Sequence, residues 1–159
     1  MALDRKRDYK NMNLKEFEEL TQKVKAENPK WFGLESDGIP TVEDIELLEK
    51  YYGIEFPDNY KAFILQYGGG YFAFTIVYSI DKRSSFYIKN NVEVEFVKEK
   101  NFLPIIDFET GDMAGVKINN GICEELMSLY DHEEDVIIDL NLNLFDALAK
   151  YGFKLELFV

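Results

Sequence analysis

From Met12 to Glu27 the apolar residues Leu14, Phe17, Leu20 and Val24 recur at intervals of three, three and four, which places them on one face of a helix. Asn13 suits the N-cap and Glu16 the reciprocal position three residues later, so the pair predicts a capping box. Pro29 stops this helix. Trp31, Phe32 and Leu34 follow in an irregular stretch ending at Gly38 and Pro40, read as a loop whose aromatic rings lie down on the core. Thr41 and Asp44 predict a second capping box, followed by the stripe Ile45, Leu48 and Tyr52 and by Gly53 as a left-handed C-terminal residue. Pro57 suits the first turn of a third helix, whose Tyr60, Phe63, Ile64 and Tyr67 make one buried face before Gly68, Gly69 and Gly70 end it.

Beyond the glycines the period changes. Tyr71 to Ile80 is aromatic and β-branched, the composition of a central strand, and Asp81 to Ser84 is turn material. Ser85 to Lys89 and Val92 to Val97 read as shorter strands, the latter alternating Val92, Val94 and Phe96 against Glu93 and Glu95. Phe102 to Phe108 and Met113 to Ile118 flank the hairpin connection Glu109-Thr110-Gly111-Asp112. Asn119-Asn120-Gly121 is a second turn before a strand over Ile122 to Tyr130. Asp139 or Asn141 is the expected cap of a last helix carrying Leu144, Leu148 and Tyr151 and ending at Gly152, and Phe153 to Val159 closes as a strand. Helices, then strands, then a helix is the order of an α+β fold: one domain over residues 1–159, with a largely antiparallel mixed sheet of five to six strands and helices packed on one face.

Composition narrows the function. A chain of 159 residues with 47% hydrophobic content can bury roughly two-thirds of its unfolded surface, so a packed core is expected and an acidic disordered tail is not. The single Cys123 forms no internal disulfide, fits a reducing cytosol, and is read as a small core residue. The basic N-terminal residues are not followed by an apolar stretch, and the longest apolar run is half the ~20 residues of a spanning helix, so a cytoplasmic protein with no membrane partner is expected. A formal charge of −12 disfavours direct nucleic-acid binding and favours a basic protein partner. The excess is concentrated: residues 31–70 carry eight acids against two bases, and residues 122–159 nine against two.

Catalytic readings are weaker. His132 stands in Tyr130-Asp131-His132-Glu133-Glu134-Asp135, which lacks a metal-ligand spacing and reads as a solvated acidic loop. Cys123 and His132 form no nucleophile and base arrangement. The triple glycine ends a helix and enters a strand, the reverse of a phosphate loop, and lacks its Lys. Asp107 with Asp112, and Glu93 with Glu95, are the carboxylate pairs open to acid-base work, and hairpin acids of this kind are usually solvated. No metal, cofactor or enzymatic activity is expected.

The positions Ile45-x-x-Leu48-Glu49, Gly53-Ile54, Pro57-x-x-Tyr60-Lys61, Ile64-x-x-Tyr67 and Gly68-Gly69-Gly70 closely resemble the SUKH superfamily, which includes yeast cell-wall assembly regulators and many bacterial immunity proteins. Trp31 upstream and the late helix 141–151 fit its order of elements; Phe56, where the family more often has leucine, departs from it. The resemblance implies an α+β domain without enzymatic activity, whose bacterial members neutralise polymorphic toxins, many of them nucleases or deaminases, by binding them. The expected function is therefore a cytoplasmic immunity protein that binds a basic cognate toxin through an acidic surface, as a monomer or weak homodimer. The alternative is a regulatory scaffold with no toxin partner. The expected contact residues are Glu43, Glu46, Asp131, Glu133, Glu134 and Asp135, and in the signature helix Asp44 and Glu49 are also expected to be available.

Overall fold

The computed structural model describes residues 6–7 and 11–157. In chain order the elements are β1 (Lys6–Arg7), α1 (Leu14–Glu27), a 3-10 turn (Pro29–Phe32), α2 (Val42–Tyr52), α3 (Asp58–Tyr67), β2 (Gly70–Phe72), β3 (Thr75–Val77), α4 (Ile88–Asn91) and α5 (Val94–Lys100). They continue with β4 (Phe102–Asp107), β5 (Met113–Asn119), β6 (Ile122–Asp131), β7 (Val136–Asp139), α6 (Leu144–Gly152) and β8 (Glu156–Leu157). Among the described residues, β2 to β7 form an antiparallel meander in sequence order, and β1 pairs in parallel with β8. The fold class is α+β.

Local chemistry accounts for the helix ends. Asn13 with Glu16 and Thr41 with Asp44 close reciprocal capping boxes, and Gly53 ends α2 at φ 71°. The inward stripes converge on an aromatic centre in which the Phe17 ring lies 5.0 Å from Phe145, 5.7 Å from Phe72 and 5.8 Å from Phe153. A helix near each end of the chain thus packs into one cluster with the β2–β3 hairpin. Trp31 and Phe32 pack half-buried against the core, whereas Leu34 is exposed.

The sheet departs from its expected form in several places. Tyr71 to Ile80 is not a central strand: Ala73, at φ 50°, and Phe74 turn it into a hairpin, with Phe72 paired to Thr75 and β2 at the sheet edge. Ser85 to Lys89 and Val92 to Val97 are not strands either; the short helices α4 and α5 bury Ile88 and Val97, and Val92 is buried at the C-cap between them. The polar-apolar alternation there covered too few residues to separate a strand from one face of a short helix.

β7 emerges from the tail of the acidic run, and its register, Tyr130 with Ile137 and Leu129 with Ile138, makes it the other sheet edge. The last helix is capped by Asn143 with Asp146, not by Asp139 or Asn141, because Asp139 ends β7 and pairs with Lys117 at 2.8 Å. The closing strand contracts to Glu156–Leu157, since Phe153 caps α6 and is buried; Phe158 and Val159 lie outside the described residues, as do residues 1–5 and 8–10 of the basic N-terminal run. The Asn120-Gly121 turn has the two positive φ values, 53° and 77°, of a primed two-residue hairpin.

The triple glycine is an architectural crossing. The Asp37 N–H donates to the Gly69 carbonyl at 2.9 Å, Ser36 bridges Gly70, and the Ser84 hydroxyl donates to the Asp37 carboxylate at 2.6 Å. The loop before α2 is therefore strapped across the α3–β2 junction. Among the described residues, no helix is long and apolar enough to cross a membrane.

Candidate functional site

α2 separates its acids by use. With Ile45, Leu48 and Tyr52 turned inward, the helix exposes Glu43, Glu46, Leu47, Lys50 and Tyr51 along its opposite face. Leu47 is 60% and Tyr51 42% exposed, and the Lys89 Nζ stands 4.6 Å from the Tyr51 ring centroid. Asp44 and Glu49, in contrast, serve the fold. The Asp44 Oδ2 accepts the Thr41 N–H at 3.0 Å, and the bonds from the Thr41 backbone and hydroxyl hold its carboxyl below the ordinary value. The Glu49 Oε2 accepts the Phe56 N–H at 2.7 Å and lies 3.7 Å from Lys61, which fixes the α2–α3 linker. Their availability, expected from sequence, is corrected by these bonds.

The β6–β7 turn divides its acids in the same way. The Asp131 Oδ1 accepts the N–H groups of Glu133 and Glu134 at 3.0 and 3.2 Å. Asp135, at φ 54°, accepts the Tyr130 hydroxyl at 2.7 Å and pairs with Lys100 of α5 at 2.7 Å. Lys100 and then Tyr130 hold its carboxyl below the ordinary range. Glu133 and Glu134 project from the turn as exposed charges. Among the described residues, no hydrogen bond or ion pair joins the α2 acids to those of the turn, so the six expected contact residues occupy two separate elements.

One relationship was missed. His132 reaches back to Asp112 in the β4–β5 loop: its backbone N–H donates to Asp112 Oδ1 at 3.0 Å, and its Nδ1 lies 2.6 Å from the same oxygen. The antiparallel pair Met113 with Tyr130 brings the two together, which neighbour-by-neighbour reading of the acidic run does not reveal. That bond raises the His132 pKa and lowers that of Asp112. Asp112, Asp131 and His132 offer ligand atoms within 4.8 Å of one another, a donor set compatible with a divalent cation. The direct hydrogen bond accounts for the close approach of His132 and Asp112 without one.

The carboxylate pairs raised for acid-base work do not converge. Asp107 accepts the Glu109 N–H at 2.8 Å while Asp112 binds His132, so each serves its own turn. Glu93 occupies the N-cap position of α5 without a side-chain capping bond, and Glu95 lies in the first turn, where a carboxylate interacts favourably with the helix N-terminus. Cys123 lies half-buried at the rim of the core, and burial and then Glu125, Glu49 and Glu55 push its thiol up to about 11, away from nucleophilic use.

A sequence model for the family described as SMI1-KNR4 cell-wall matches residues 42–146, from the first residue of α2 to the third of α6. The match takes in the helix pair, the glycines and the whole antiparallel meander. Neither a curated protein nor a solved structure matches the chain.

Proposed function

The chain belongs to the SMI1-KNR4 family of the SUKH superfamily, and from that membership we propose that it is a non-catalytic, cytoplasmic immunity protein that binds and neutralises a basic toxin domain. The observation that carries this reading is the division of the acids. Folding uses the carboxylates of Asp44, Glu49, Asp131 and the exposed but paired Asp135, while Glu43, Glu46, Glu133 and Glu134 project exposed on a chain of formal charge −12. Leu47 and Tyr51 beside Glu43 and Glu46 supply apolar and aromatic area of the kind that anchors protein interfaces. A nuclease or deaminase that holds nucleic acid through Lys and Arg would present the complementary charge.

Co-expression with the toxin domain encoded by a neighbouring gene tests the proposal. Cell survival and co-purification are expected. Replacing Glu43, Glu46, Glu133 and Glu134 together by Lys should slow association by about tenfold or more and flatten its salt dependence, as rim charges act mainly on encounter. Failure of both survival and co-purification would instead favour a regulatory scaffold, and unchanged association after the four reversals would remove these carboxylates from the interface.

A further inference from the structure

The α2–α3 linker and the start of β6 enclose a surface notch of about 240 Å³ that lies apart from the exposed acids of α2 and of the β6–β7 turn. Glu55 makes an isolated parallel bridge with Ile122, which holds the linker against the start of β6. β6 then bulges: Val116 pairs with Met127 and Ile118 with Cys123, leaving Glu124, Glu125 and Leu126 opposite the single residue Lys117. Bulges re-aim side chains at strand edges, and here Ile122 is 72% and Leu126 41% exposed. Buried Phe56 and Pro57 and half-buried Cys123 line the notch below Ile122.

The rim is acidic. Glu55, Asp58 and Glu125 surround the apolar floor. Lys61 faces them, 3.2 Å from Glu55 and 3.9 Å from Asp58, and is shared with Glu49 at 3.7 Å. Lys117 pairs with Asp139 at 2.8 Å and lies 3.9 Å from Glu124, so Glu125 is not its partner. Burial is the first cause of the upward shift of the Cys123 thiol at the floor, and Glu125, Glu49 and Glu55 add to it.

We propose that this notch is a docking surface for a protein segment carrying an aliphatic side chain flanked by Lys or Arg, the aliphatic group resting on Ile122 and Pro57 and the cations pairing with Glu55, Asp58 and Glu125. The volume lies below the roughly 300–1,000 Å³ of small-molecule sites, which disfavours a metabolite. A second copy of the chain would bring acid against acid. The proposal rests on the immunity reading for its natural partner, but the notch can be probed separately.

Two synthetic peptides of equal positive charge serve as probes, one alternating Lys with Leu and the other Lys with Gly. Alkylation of Cys123, the sole thiol, reports occupancy. The Lys-Leu peptide at ten times its Kd should slow alkylation about tenfold by mass action and shift the amide resonances of residues 54–58 and 121–126. The Lys-Gly peptide should do neither, and Ile122→Asp, at a position exposed enough to leave the fold intact, should abolish the protection. Equal protection by both peptides, resonance shifts confined to residues 43–51 or 131–135, or full protection of the Ile122→Asp protein would overturn the proposal. With the neighbour-encoded toxin, neutralisation that leaves Cys123 alkylation unchanged would overturn the notch as its site while the immunity reading stands. A notch that binds the Lys-Leu peptide in a protein that neutralises no toxin would do the reverse.

Discussion

The Asp146 carboxylate accepts the backbone N–H of Met12 at 3.1 Å across 134 positions of sequence. Its other oxygen takes the Asn11 N–H at 2.8 Å and the Asn143 N–H at 3.3 Å, while the Asn143 amide donates to the Met12 carbonyl at 2.9 Å. A capping box of α6 is thereby also the socket for the chain entering α1. Burial pushes the Asp146 carboxyl up, and the donors from Met12, Asn11 and Asn143 pull it back toward ionisation. Asp146→Ala takes the acceptor from the Asn11, Met12 and Asn143 N–H groups, the last two buried, and leaves only the Asn143 half of the capping box, a loss of about 3 kcal/mol. Asp146→Asn keeps one carbonyl acceptor and should lose about half as much by the same reasoning. Urea unfolding should show a lower midpoint at unchanged slope; a shift under about 0.5 kcal/mol for Asp146→Ala would contradict the socket.

Tyr52 links the signature helix to the short helices beyond β3. Its hydroxyl donates to the Val92 carbonyl at 2.7 Å and lies 3.2 Å from that of Ile88, in a buried setting that raises its pKa. Tyr52→Phe should destabilise by about 1–2 kcal/mol because the Val92 carbonyl loses its donor out of reach of water. Tyr51→Phe, on the exposed face one residue away, should stay within about 0.5 kcal/mol. Equal losses in the two variants, measured by thermal and urea unfolding, would show that the hydroxyl bond is not what matters.

Two glycines with similar φ should respond differently to alanine. At Gly53, with φ 71°, an added methyl would meet nothing within 4 Å, so Gly53→Ala carries only the left-handed backbone cost of about 1–2 kcal/mol. Gly68, at φ 73° and ψ −151°, occupies a region used almost only by glycine, and its added methyl would collide with the Asp37 carbonyl beneath the strap. Gly68→Ala should cost about 3 kcal/mol or more and loosen residues 36–38 in hydrogen exchange. A loss no larger than that of Gly53→Ala would mean the strap yields easily.

What could be read in advance was the chemistry that acts over three or four residues. The boxes of Asn13 with Glu16 and Thr41 with Asp44, the end at Gly53 and the Asn120-Gly121 turn all close within such a span. Ala73 turns a hairpin without glycine or proline to announce it, and β7 exists because Val136 to Asp139 find Ser128 to Asp131. The candidate surface divides along the same line. The Asx turn of Asp131 is local, but the ties of Asp135 to Lys100 and His132 to Asp112 depend on sheet register and on where α5 lands.

The His132–Asp112 bond should behave as a pH-dependent latch between the β4–β5 loop and the β6–β7 turn. Hydrogen bonding to Asp112 and then the charges of Asp112, Glu133 and Asp131 raise the imidazole pKa, while the bonds from His132 lower that of Asp112. A raised imidazole pKa contributes stability that is fully present below the ordinary histidine value and lost as pH climbs through the raised one. A lowered carboxyl pKa contributes stability present above the ordinary aspartate value and lost as pH falls through the lowered one. The latch is therefore strongest in the window between the ordinary aspartate and ordinary histidine values and weakens as pH climbs through the raised imidazole pKa. Proton NMR titration should place the His132 midpoint above that of a free imidazole, and Asp112→Asn should bring it down while increasing hydrogen exchange at Glu133 and Glu134 in that window. An unchanged His132 midpoint in Asp112→Asn would show that the neighbouring acids of the turn, Asp131 and Glu133, set its titration instead.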